Sequence, residues 1–227
     1  ISSNGMYAVD RSEDSDRNKL IKWTSSSYIK KGNYAYNTLK IRKQDGVIKF
    51  YINGSYVNQI SNQKFLGNRI GFIIYDNQKI AIDYLKVRYL DKVVEPLIVT
   101  TKSGPMDEYF SNNNNVWAMG GTKDYALNLS GGYYNFEHKR TSGGWSTTLK
   151  NKIDQTRNFE ISTEIKKVSG VSNYGYGLIW GRKDGKNQFN FTISGNGSFK
   201  IRKIERDNTK LLQDWKKSSY INTGNGS

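Results

Sequence analysis

The sequence predicts an all-β protein, a sandwich of antiparallel strands, and three observations carry that expectation. The first is punctuation: 22 glycines against 2 prolines in 227 residues mean that turns are made by Gly, Asn, Asp and Ser rather than by proline. The second is periodicity. The runs between those turns alternate apolar with polar residues and are rich in β-branched and aromatic types, the pattern of half-buried strands. The third is that no segment carries a capped apolar stripe of 3.6-residue period, so no helix competes for these runs. Turn signals recur every ~8–12 residues, the spacing of a sandwich or barrel.

Thr38–Lys43 sets Leu39 and Ile41 against Lys40, Arg42 and Lys43, the three cations expected outward. Asp45-Gly46 joins it to Val47–Ile52, and Asn53-Gly54 follows that run. Both dipeptides suit two-residue hairpins, because each tolerates the positive φ such turns require. Arg69–Tyr75 and Ile80–Tyr89 are the next two runs. The second half supplies Phe159–Ile165, Gly177–Trp180, Gln188–Ile193 and Ser198–Ile204. In the last of these, Phe199 and Ile201 point inward, which puts Lys200 and Arg202 on a basic outer face.

An internal repeat organises the chain. Residues 1–35 and 193–227 align without a gap at an offset of 192. Ile1-Ser2-x-Asn4-Gly5 matches Ile193-Ser194-x-Asn196-Gly197; Tyr7 stands against Phe199 and Val9 against Ile201. Glu13, Leu20 and Trp23 match Glu205, Leu212 and Trp215, and Ser26-Ser27-Tyr28-Ile29-x-x-Gly32-Asn33 matches Ser218-Ser219-Tyr220-Ile221-x-x-Gly224-Asn225. The two ends of the chain are thus equivalent points of a long repeat. Residues 1–93 read as the C-terminal half of one unit and 106–227 as the N-terminal part of the next. Residues 94–105, with both prolines Pro96 and Pro105, read as the linker. A full unit of about 180 residues suits a large sandwich rather than a solenoid repeat. Residues 36–93 and 106–227 can together complete one permuted sandwich, in which 1–35 and 193–227 compete for the same strand positions. One copy must then dangle, pair elsewhere, or complete a neighbour by strand exchange.

Composition removes several classes of chemistry. With no cysteine and a single histidine, disulfides, thiolate metal sites, a cysteine nucleophile and multi-histidine zinc centres are excluded. No stretch approaches the ~18 apolar residues of a membrane span. The balance of 35 basic to 20 acidic residues, a net +15, points to an anionic partner or surface. The basic residues are spread over most strands and form no nucleic-acid motif, so nucleic acid is not the expected partner.

Read as 106–227 followed by the equivalent of 36–93, the unit resembles a known family. Asp107-Glu-Tyr-Phe-Ser-Asn-Asn-Asn-Asn-Val-Trp117 opens it. Gly131-Gly-Tyr-Tyr-Asn-Phe136, Trp145, Asn158-Phe-Glu-Ile161, Tyr176-Gly-Leu-Ile-Trp180, Phe189-x-Phe191-x-Ile193-Ser194-x-x-Gly197 and Trp215 follow. The other copy adds Asn37-Thr-Leu-Lys-Ile41, Phe50-Tyr-Ile-Asn-Gly54, Gly67-x-x-Ile70-Gly71 and Ile82-Asp-Tyr-Leu-Lys-Val87. This succession resembles the concanavalin A-like (LamG, laminarinase-like) jelly-roll superfamily. It is most similar to family-16-like and keto-disaccharide hydrolase-type domains of bacterial proteins. The resemblance implies a jelly-roll sandwich and says little about function, since its motifs are turn glycines and core aromatics.

Because relatives of this fold cleave glycans, paired carboxylates are the first chemistry to test. The family's active strand carries Glu-x-Asp-x-x-Glu, and no segment here does. The nearest approach, Glu160 and Glu164, lies on one face but ~13 Å apart along a strand, beyond the ~5.5 Å of retaining or ~6.5–9.5 Å of inverting pairs. A glycosidase is therefore the lesser alternative, and no catalytic residue is assigned. His138 shares a strand face with Tyr134 and Phe136 and reads as structural. Asp107, Glu108 and Asn112 to Asn115 could offer oxygens to Ca²⁺, yet a plain loop explains them; no metal site and no cofactor are assigned. The aromatics point to binding, since flat rings stack on sugar faces. Trp117, Trp145, Tyr174, Tyr176 and Tyr34 lie within two residues of Gly, Ser or Asn, where loops can expose them, and are the candidate ligand contacts; Trp23, Trp180 and Trp215 read as core. The expected function is a non-catalytic module of a tandem-repeat adhesion or targeting protein. It would bind carbohydrate or an anionic polymer outside the cell or at its surface. The alternative is a purely structural repeat, a spacer or filament subunit joined to neighbouring copies by strand exchange.

Overall fold

The computed structural model describes residues 2–30, 32–61, 64–90, 105–149, 153–198 and 200–213. These form β1 (Ser2–Ser25), β2 (Tyr36–Gln44), β3 (Val47–Ile52), β4 (Ser55–Ser61), β5 (Arg69–Tyr75) and β6 (Gln78–Tyr89). The chain continues with β7 (Met106–Glu108), β8 (Gly120–Gly121), β9 (Tyr125–Ser130), β10 (Tyr133–His138) and β11 (Gly144–Thr148). It closes with β12 (Phe159–Gly170), β13 (Tyr176–Asp184), β14 (Asn187–Ser198) and β15 (Lys200–Gln213). One sheet has the order β1-β15-β14-β13-β5-β11, with β1 also paired to β14; the other runs β4-β3-β2-β12-β6-β10-β9-β8, with β7 against β6. The pairings are antiparallel except β1 with β15. The molecule is an all-β sandwich.

Alternation builds the core. In β2, Asn37, Leu39, Ile41 and Lys43 are buried while Tyr36, Thr38, Lys40 and Arg42 are half-exposed, the two-residue period of a strand with one face inward. The inner faces of the sheets meet through aromatic rings. Phe50 of β3 lies 5.8 Å from Trp180 of β13 and 5.1 Å from Phe191 of β14, and Phe72 of β5 lies 6.5 Å from Tyr134 of β10. Burying each such side chain contributes ~1.5–3 kcal/mol. The hairpins on either side of β3 turn as the sequence predicts. Asp45 and Gly46 (φ 50° and 72°) and Asn53 and Gly54 (φ 50° and 82°) are both left-handed pairs, the geometry whose twist matches that of the strands.

Strands from the two halves of the chain are interleaved. β12 lies between β2 and β6 and pairs with both along most of its length; β5 lies between β13 and β11. Of the linker read at 94–105, residues 94–104 lie outside the described residues, as do Phe199 and Trp215; of Trp23, Lys200 and Ile201 the side chains do.

Two cations are placed differently from the sequence expectation. Lys43 is buried rather than outward: it has the parity of Leu39 and Ile41, and its Nζ donates to the carbonyls of Gln155 (2.8 Å) and Arg157 (3.1 Å). A long stem lets the residue fill a core position while its charge reaches the rim. Arg202 is also buried, its guanidinium 4.4 Å from the centre of the Tyr75 ring.

One edge is claimed twice. β14 pairs β13 on one side. On the other, Ala8, Val9, Asp10, Arg11 and Ser12 of β1 face Thr192, Phe191, Asn190, Phe189 and Gln188. Lys200, Ile201, Arg202, Lys203 and Ile204 of β15 face the same five residues in the same order.

Candidate functional site

The five aromatics singled out by sequence separate into three groups. Trp117 and Tyr176 are core residues, 2% and 1% exposed. Trp117 stacks on Phe72 at 5.4 Å, meets Phe110 and Tyr134, and its Nε1 donates to Glu108 Oε2 (3.1 Å). Burial holds the Tyr176 hydroxyl far above the usual phenol range. Neither ring is open to a ligand, which corrects their assignment as ligand contacts. Trp145 is half-buried and stacked on Tyr125 at 4.4 Å, so one face is already covered. Tyr34 and Tyr174, 65% and 43% exposed, stand on loops at one end of the sandwich.

Lys167 ties those two loops together. It is fully buried at the inward parity of β12, and its Nζ donates to Asn33 Oδ1 (2.9 Å), the Gly170 carbonyl (2.6 Å) and Ser172 Oγ (3.4 Å). All three partners are neutral, so burial dominates and pulls its pKa down to about 8. The Tyr34 amide donates to the Lys167 carbonyl. On the other side the loop is pinned by Asn37, whose side chain bonds Lys30 through both its oxygen and its nitrogen. Asn53 adds a bond to Asn37 Oδ1 (3.0 Å).

Next to this end begins a ladder of tyrosines and cations on the outer face of the larger sheet. Register puts Arg42, Glu160 and Arg88 side by side across β2, β12 and β6, then Lys40, Ser162 and Lys86, then Thr38, Glu164 and Tyr84, and finally Tyr36 beside Lys166. Lys166 Nζ bonds Tyr36 Oη (2.7 Å) and lies 4.7 Å and 4.1 Å from the ring centres of Tyr36 and Tyr133; the two hydroxyls are 2.7 Å apart. Lys86 repeats the arrangement between Tyr84 (4.7 Å) and Tyr109 (4.8 Å), and Lys40 lies 6.0 Å from Tyr51. The hydrogen bond from Lys166 lowers the Tyr36 pKa, and the same bond raises that of Lys166. Hydrogen bonding to Tyr109 likewise raises Lys86. Cations held by ring faces keep their charge for a partner, whereas Arg42 and Lys40 are matched to Glu160 at 2.7 Å and 3.2 Å. Among the candidates named from sequence only Tyr34 adjoins this ladder. Tyr36, Tyr84 and Tyr133 come from three strands, and their outward parity was the available signal.

The other chemistry read from sequence takes structural places. Glu160 is occupied by two cations, and Glu164 Oε2 accepts from Thr38 Oγ1 (3.4 Å). His138 is buried, with Nδ1–H donating to the Asp76 carbonyl (2.8 Å). Glu108 accepts from the Phe110 amide, Asn115 Nδ2 and Trp117 Nε1, and Asn112 and Asn113 accept from the amides of Asn114 and Trp117, so these three residues brace their own loop, while Asp107 Oδ2 accepts from Arg88 (3.1 Å). Among the described residues, no three His, Asp or Glu side chains gather as a metal ligand set, and no helix is long and apolar enough to cross a membrane. No protein-family model and no curated protein matches the chain.

Proposed function

We propose that the chain is a non-catalytic binding module for carbohydrate or another surface polymer, on a concanavalin A-like sandwich of a tandem-repeat adhesion or targeting protein at the cell surface. The observation that carries this reading is the tyrosine–lysine ladder: Lys166 between Tyr36 and Tyr133, and Lys86 between Tyr84 and Tyr109. Tyrosine rings offer flat faces and hydroxyls to a sugar, and the ammonium groups between them offer charge to carboxylate or sulfate substituents. A strand face positions these groups more rigidly than a loop does, and repetition along an array raises the avidity of a weak site.

The test is a panel of neutral, uronic and sulfated polysaccharides at about 50 and about 500 mM salt, which separates screened from unscreened contacts. The expected result is binding that falls at least about tenfold in the double variant Tyr133→Ala/Lys166→Ala, a loss near 1.4 kcal/mol. Binding that survives high salt identifies ring stacking as the main term. No binding to any polymer at either salt overturns the reading. It would leave the purely structural repeat, which the double claim on the β14 edge favours.

A further inference from the structure

A strand edge holds one ladder of hydrogen bonds at a time. The outer edge of β14 nevertheless has two claimants, and the five residues of β1 facing it differ from the five of β15 by 192 at every position. That number is also the offset of the sequence repeat. The backbone register thus carries the same equivalence as the residue identities.

The two strands offer this edge the same chemistry. Tyr7 and Val9 of β1 are fully buried. The Tyr7 ring meets Phe191 edge-on at 5.7 Å, and its hydroxyl donates to the Val57 carbonyl. Phe199 and Ile201 stand at the matching repeat positions, again an aromatic and then a β-branched residue two positions on in the sequence. β15 follows β14 after residue 199, and β1 is joined to β2 through residues 26–35; closure entropy grows only slowly with length, so the longer join does not exclude β1 from the edge.

We propose that the outer edge of β14 is a strand-acceptor site which β1 and β15 fill as alternatives, and that the strand left unseated completes an adjoining copy of the repeat. The second clause rests on the tandem-repeat reading above. In an array each such segment follows the β14 of one sandwich and precedes the β2 of the next, and it can close either. Segments and acceptor edges then match in number, and repeats are linked by handing a strand across their boundary, a heterologous contact that propagates.

Engineered thiols in the full chain test this, because the chain has no cysteine of its own. Asn190→Cys is combined with Asp10→Cys and Arg202→Cys in one variant, and Gln188→Cys with Ser12→Cys and Ile204→Cys in a second; each trio shares a register position. Under mild oxidation the β14 thiol is expected to divide between its two partners within about tenfold in at least one variant, read by mass spectrometry of the digested chain. Exclusive pairing with the same strand in both variants, or with neither strand, overturns the alternative filling. For the second clause, isotope-labelled and unlabelled chains are mixed. Disulfides joining the two kinds, rising with concentration, are the expected outcome, and purely intrachain disulfides at every concentration overturn it. Polysaccharide binding is a separate readout: failure of the glycan panel leaves the partition intact, and the reverse also holds.

Discussion

At the scale of single residues, a buried ammonium and three buried phenols make predictions with opposite signs. Lys167 is buried among neutral oxygens, with its pKa lowered to about 8, whereas an unfolded lysine titrates near ~10.4. Below pH ~8 both states carry the charge and its burial costs stability; between ~8 and ~10.4 the folded state has already released the proton, so stability rises with pH. Wild type is therefore expected to gain on the order of 2 kcal/mol relative to Lys167→Met between pH 7 and pH 10, measured as urea midpoints at each pH. A gap between the two proteins that stays constant with pH would contradict this account. Tyr7, Tyr134 and Tyr176 act the other way: burial holds their phenols high, that of Tyr134 at about 12, so the folded state keeps protons that the unfolded chain loses, and stability falls above pH ~10. Tyr36 is the exception among these phenols, because Lys166 lowers it. In a phenolate absorbance titration an early-ionising component is expected, lost in both Tyr36→Phe and Lys166→Met. An unchanged curve in Lys166→Met would place the early phenol elsewhere.

At the scale of elements, the end of β12 shows how a turn is forced. Gly170 has φ +92°, and a Cβ there would fall 2.1 Å from the Asn77 carbonyl oxygen, whereas Gly54, at φ +82°, has open space around it. Gly54→Ala bears only the left-handed penalty of ~1–2 kcal/mol. Gly170→Ala adds a backbone clash and displaces the carbonyl that holds Lys167, so it is expected to cost at least about twice as much by denaturant midpoint; equal losses would show that the backbone yields there. The same contrast between local and non-local information explains what was legible in the sequence. β3 was readable residue for residue because turn chemistry brackets a one-sided alternation, and β5 because its apolar, β-branched run, buried continuously from Ile70 to Ile74, is bounded by turn residues. Lys43 was not, since its parity is that of the core and its chemistry that of the surface. Trp117 follows an Asn run by two residues and Tyr176 sits between two glycines, which locally looks like an exposed loop, and only packing into the core, Trp117 on Phe72, buries them. The tyrosine–lysine ladder was hidden for a deeper reason: its rows exist only once β2, β12 and β6 are paired, and register across residues as distant as 36 and 166 is not a local property.

At the scale of the whole molecule, the interleaving of the two halves decides how the chain unfolds. Two independent halves would need separate cores. Here β12 is hydrogen-bonded on both edges by strands from the first half, β5 on both edges by strands from the second, and Phe50 packs on both Trp180 and Phe191. Removing either half would leave the other with open strand edges and bare aromatic rings, so neither has a stable state of its own to populate. The expected outcome is a single calorimetric transition whose van't Hoff and calorimetric enthalpies agree. Ile41→Ala in the first half and Phe191→Ala in the second should each lower that one transition, the cost of a buried large-to-small change being ~2–5 kcal/mol. The alternative claims of β1 and β15 sharpen the prediction, because the sandwich closes with either strand and exchange at one edge need not unfold the core. A second transition appearing at lower temperature in only one of the two variants would show that the halves unfold separately, and that the shared sheets are less cooperative than their pairing requires.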